Sequence, residues 1–160
     1  MGYLIVKPIL DYYIRKLCNH PYPGHSHGCP NYGERSTCPP KALLFHEIID
    51  LDQPIYAIWN VFDLGSHIQR MKTLHPEWSK RQLECCLYWQ SRARKELDKK
   101  VIELIEHIIY AGGHWRDYRL IKCPEACGVN VTETMRNIGE ELEWPPRIKT
   151  YQVAIAGWRK

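Results

Sequence analysis

Residues 55–62, IYAIWNVF, form a nearly continuous apolar run of strand length, between Pro54 and Asp63. A run of this kind reads as a central strand buried on both faces. Asp63 follows at once and can cap a helix, because a carboxylate oxygen accepts from the free N–H groups of a first turn. Leu64, Ile68, Met71 and His75 then recur at helical spacing on one face. A buried strand leading into an amphipathic helix belongs to an α/β domain.

Downstream, Ser79 and Gln82 make a capping box, and Trp78 is placed to staple onto Leu83. Leu83, Cys86/Leu87, Ala93, Leu97, Val101, Leu104 and Ile108 continue the repeat up to Gly112-Gly113. The spacing predicts one helix of roughly 30 residues, which either crosses the domain or is kinked. Residues 118–122 (YRLIK) read as a strand delivering Cys123, and residues 150–158 (TYQVAIAGW) as the last strand. Between them a helix starts at Asn130, with Glu133 in the capping position and Val131, Met135, Ile138 and Leu142 on one face. Upstream, residues 11–17 (DYYIRKL) read as a strand running into Cys18. Pro39 and Pro40 suit the first turn of a helix through KALLFHEIID, ending before Pro54. The fold expected is a single α/β domain over residues 1–160: a small mixed sheet with helices packed on it, plus a long cysteine-bearing metal loop. Strand directions are left open by these patterns.

The loop is CNHPYPGHSHGCPNYGERSTCPP, residues 18–40. Cys18, Cys29 and Cys38 are spaced C-x10-C-x8-C, with His20, His25 and His27 between them and no apolar run. So long and polar a loop in a compact domain needs something to hold it. Thiolate–metal bonds would do so, since each ligand offsets loop entropy. Cys29 and Cys38 both precede proline, the pairing seen in ferredoxin-type runs. An iron–sulfur cluster is therefore favoured over zinc. The zinc alternative would draw on the loop histidines, but the only close cysteine pair is Cys123-x3-Cys127.

A cluster generally takes four thiolates. Cys85 and Cys86 fall on the long helix and read as small buried hydrophobes. Cys123 precedes Pro124 at a strand end, and is the expected fourth ligand beside Cys18, Cys29 and Cys38. Cys127 is the alternative, because it precedes a helix start whose partial positive charge favours anions. An open fourth iron position would give the centre a catalytic role.

Seven cysteines, an odd number, without a secretion signal argue for reduced thiols in a cytoplasmic chain rather than a disulfide framework. No stretch is long and apolar enough to span a bilayer, so no membrane partner is expected. The net charge is +4, with nine Lys/Arg against four Asp/Glu over residues 70–100. That excess reads first as a solvated helix face and second as a contact for nucleic acid. Phosphate-loop, G-x-S-x-G and Ser/His/Asp patterns are missing from the sequence.

The blocks Cys29-Pro-Asn-Tyr-Gly, Cys38-Pro-Pro and Glu125-Ala-Cys-Gly-Val-Asn-Val131 resemble a family of small metal-binding proteins of unknown function. Its members carry a C-x-x-YG…CPP block and a later EA-x-G-(I/V)-x-V helix start. The resemblance implies a cysteine-bound iron–sulfur centre, without a settled reaction. The chain lacks the separate close-spaced cysteine cluster of longer members, which implies one cluster here. The function expected is thus that of a protein holding one [4Fe–4S] cluster, acting in redox or sulfur chemistry. Its partner would be a redox protein, or a small-molecule or nucleotide substrate. The alternative is a zinc-stabilised module that contacts nucleic acid through a basic helical face.

Overall fold

The computed structural model describes residues 2–22 and 25–160; Pro23 and Gly24 of the cysteine loop lie outside the described residues. A four-stranded sheet forms the centre, in the order β1 (Tyr3–Ile5), β2 (Tyr56–Asp63), β4 (Lys149–Trp158), β3 (Tyr118–Ile121). The class is α/β as expected, and all three pairings, open at the level of sequence, are antiparallel. Tyr3 pairs with Ile58, Ala57 with Ile155, and Leu120 with Ala156. The apolar run beginning at Ile55 thus supplies an inner strand, with Ala57 and Ile58 fully buried.

Alternation along β2 and β4 divides the core between the two faces. Ala57, Trp59 and Ile155 pack with Phe45, Ile49, Val129, Val131 and Met135. Ile58, Ala154 and Ala156 pack instead with Leu97, Val101, Leu104 and Ile108. Those four belong to α4 (Gln90–Tyr110), which covers one face. The opposite face carries α1 (Phe45–Ile48), α5 (Val131–Arg136) and the turn that holds Cys127. Asp63 accepts from the Ser66 N–H at 2.8 Å and starts α2 (Leu64–Leu74), as its position after the strand predicts.

Four segments depart from the sequence reading. Residues 12–19 form a 3-10 helix, not a strand, because Asp11 Oδ1 accepts from the Tyr13 N–H at 3.0 Å and caps it. The helix expected from Pro39 is confined to α1, because Arg15 Nη2 donates to the carbonyls of Pro40 (3.2 Å) and Ala42 (2.7 Å). Glu47 starts the helix later by accepting from the Leu44 N–H at 2.7 Å. The single long helix is broken: α3 (Lys80–Leu83) is capped by Ser79, a 3-10 turn spans Cys86–Tyr88, and α4 follows. The break lets Trp89 turn inward and stack on Phe62, ring centroids 5.3 Å apart. Trp78 lies on His75 and Tyr88, at 4.1 and 4.8 Å. Finally, α5 begins where Asn130 accepts from the Glu133 N–H at 3.1 Å but ends at Arg136, and Ile138 and Leu142 reach the core from the following loop.

Candidate metal centre

Backbone contacts draw the cysteine segments together from opposite ends of the chain. The 3-10 helix Tyr12–Asn19 packs against the turn Pro124–Cys127. Asp11 N–H donates to Gly128 O and Asn130 N–H to Ile9 O, both at 2.8 Å, around a bridge of Leu10 with Val129. Gly128 has φ +89°, and a Cβ there would lie 2.4 Å from the Tyr12 ring. Only glycine lets the turn approach this closely. This junction brings Cys18 near Cys123.

The other loop cysteines are placed by shorter connections. Cys29 N–H donates to Cys18 O at 2.7 Å. Gly33 N–H donates to Pro39 O at 2.8 Å, closing the Cys29–Cys38 segment on itself. Arg15, three residues before Cys18, holds the Cys38-Pro39-Pro40 turn through the carbonyls of Pro40 and Ala42. Pro39 is buried and Pro124 is fully buried, so the residues following Cys38 and Cys123 are anchored in the protein.

The electrostatics follow from this convergence. Burial pushes the Cys18 thiol up, and the neighbouring Cys29, Cys38, Glu125 and Cys123 push it further, because each disfavours another negative charge. Cys123 is raised by burial, then by Glu125 and Cys38, with Cys29 adding and the Arg94 guanidinium opposing. Cys18 and Cys123 thus each feel Cys29 and Cys38, and Cys18 feels Cys123 as well. Glu125 has an exposed surface, yet burial raises its carboxyl. As the side chains stand, no three or more His, Cys, Asp or Glu among the described residues form a group able to hold a metal ion. The four thiols are of the donor type that an iron–sulfur cluster takes.

The remaining cysteines divide. Cys127 is buried in the core beside Val129 and Met135, where it serves packing. Burial is the largest cause of its raised thiol pKa, opposed by Arg15. Cys86 packs partly buried near Leu64, Trp89 and Ala93, in keeping with a hydrophobic role. It also acts on the Tyr22 phenol, which is raised by burial first, then by Cys29, Cys86 and Cys18. The approach of the Cys86 turn to the loop comes from the break before α4, which the apolar repeat hides. His25 packs on Tyr22, rings 4.6 Å apart, while His20 and His27 are exposed.

Ion pairs offset part of the basic stretch: Lys80 with Glu84, Lys99 with Glu96, and Lys100 with Glu103. No described helix is long and apolar enough to cross a membrane. No family model matches the chain, and neither a curated protein nor a solved structure matches it.

Proposed function

We propose that the chain binds one [4Fe–4S] cluster through Cys18, Cys29, Cys38 and Cys123. The observation that carries this reading is the docking of the Tyr12–Asn19 helix, which holds Cys18, on the Pro124–Cys127 turn beside Cys123, with Cys29 N–H bonded to the Cys18 carbonyl. The Cys-Pro steps and the likeness of the CPNYG, CPP and EACGVNV blocks to the metal-binding family support it further. When bound, such a cluster supplies one-electron transfer or a site for sulfur chemistry.

The chain's own residues would bind and shield it. Cys18 and Cys29 act as a unit through their shared backbone hydrogen bond. Arg94 supplies positive charge beside Cys123, easing thiolate formation there. Glu125 brings an opposing carboxylate, which favours a protonated acid when the centre is anionic.

Anaerobic purification with iron, acid-labile sulfide and zinc analysis tests the reading. Brown protein with about four irons and four sulfides per chain is the expected result. Colourless protein that resists reconstitution and carries stoichiometric zinc would support the zinc-stabilised module instead.

A further inference from the structure

Beside the end of β2, α2 and α4 enclose a groove of about 610 Å³. This lies within the range of about 300–1,000 Å³ for small-molecule sites. Arg92, Glu96 and Lys100 face it from α4, four residues apart and so on one stripe. Arg94 and Asp98, on another stripe, act toward Cys123 and Lys122 instead. The groove therefore uses different residues from the cysteine centre.

Two polar atoms on its wall lack partners. His67 Nε2 and Asn60 Oδ1 are buried without a hydrogen-bond partner among the described residues, and both residues line the groove. His67 is only 6% exposed. Roughly 90% or more of buried polar groups are paired in folded proteins, so two orphans on one wall mark positions for an incoming group.

The charged lining residues differ in what they already hold. Asp63 caps α2 through Ser66, Glu96 binds Lys99 and Lys100 binds Glu103. Arg70 and Arg92 have no ion-pair partner within contact distance among the described residues. The Arg92 charge is felt by Glu96, and both guanidiniums are felt by His67. Burial, with Arg70 and Arg92 adding to it, holds the imidazole pKa below its ordinary value and keeps the ring neutral at neutral pH.

We propose that this groove is a binding site for a small phosphate ester bearing a hydroxyl group. Arg70 and Arg92 would take the phosphate oxygens, and the hydroxyl would donate to Asn60 Oδ1. A phosphate has three strong acceptor oxygens and a charge near −2, which suits two guanidiniums offered by different helices. The neutral His67 Nε2 completes the polar wall without adding a buried charge.

Calorimetric titration of the full chain with glycerol 3-phosphate and with inorganic phosphate tests the site, with iron content measured on the same samples. Both probes bind the wild type, and the double variant Arg70→Gln/Arg92→Gln weakens both by about tenfold or more. Both arginines are exposed, so the variant retains its fold. Asn60→Ala weakens glycerol 3-phosphate and leaves inorganic phosphate unchanged, whereas Lys80→Gln, on an exposed side chain of α3, changes neither. Absence of binding to the wild type, or equal binding by the double arginine variant, overturns the proposal. Equal losses of both probes in Asn60→Ala overturn the assigned orientation. Neither result depends on whether iron is present.

Discussion

Gly28 lies against the backbone of Cys18: a Cβ on Gly28 would stand 2.6 Å from the Cys18 carbonyl oxygen, which also accepts from Cys29 N–H at 2.7 Å. The residue has φ +82°, so both its conformation and its surroundings demand glycine. One close approach thus sets the spacing of two expected ligands.

Gly28→Ala should therefore separate Cys29 from Cys18. The left-handed backbone alone costs about 1–2 kcal/mol for an L-residue, and the contact with backbone atoms adds to it. Urea unfolding of the variant should show a lower midpoint, and anaerobic reconstitution should give less iron. A variant matching the wild type in both would disprove this account of the loop.

Cys123→Ser should lose the cluster or retain a labile one, because it removes the only thiolate proposed from the far end of the chain. Cys127→Ser should keep its iron but unfold more easily, since Cys127 is 6% exposed in the core. Burying a hydroxyl there without a partner costs about 1–3 kcal/mol. Iron content and melting of the two variants, prepared together without oxygen, decide between the ligands. Greater iron loss in Cys127→Ser would move the fourth ligand to that residue.

Replacing both Cys85 and Cys86 with alanine should leave iron content unchanged. A modest loss of stability, about 1 kcal/mol, is expected from the packing of Cys86 near Trp89 and Ala93. Loss of iron from the folded double variant would show that the turn before α4 belongs to the centre.

Stability of the wild type should fall in mild acid partly through His67. Burial, then Arg70 and Arg92, hold its native pKa below the ordinary histidine value of about 6.5. As the pH drops below that value the unfolded imidazole takes up a proton while the native one stays neutral, so the unfolded state binds more protons and stability declines. Asp63 and Glu96 also line the groove, but their carboxyls are held below the usual range by Ser66 and Lys99. Denaturation at pH 7 and pH 5 should show a smaller loss for His67→Gln than for the wild type. Equal losses would mean that the imidazole titrates alike folded and unfolded.

Packing of α4 on the sheet can be tested directly. Leu104→Ala, at a fully buried position, should cost about 2–5 kcal/mol. Ile102→Ala, 53% exposed on the same helix, should cost far less. Similar losses at both positions would contradict the face assigned to α4.

The sequence by itself determined the elements whose signals are local. The apolar run from Ile55, the cap at Asp63, the strand before Cys123, the cap at Asn130 and the last strand all lie where spacing and capping chemistry predict. The Cys-Pro steps and the long polar loop singled out Cys18, Cys29, Cys38 and Cys123 as expected ligands, but the spacing in the sequence carries no distance between the two ends. Tertiary structure decided what depends on distant partners. Residues 12–19, capped by Asp11, dock as a 3-10 helix on the 124–127 turn, and α1 starts late because Arg15 takes two carbonyls. The long helix breaks so that Trp89 can pack on Phe62. Sheet direction and the groove between α2 and α4 likewise arise from pairing between strands distant in sequence, and from side chains on three separate elements. A period read along one segment carries no information about either, because it records which face is apolar and not what that face will meet.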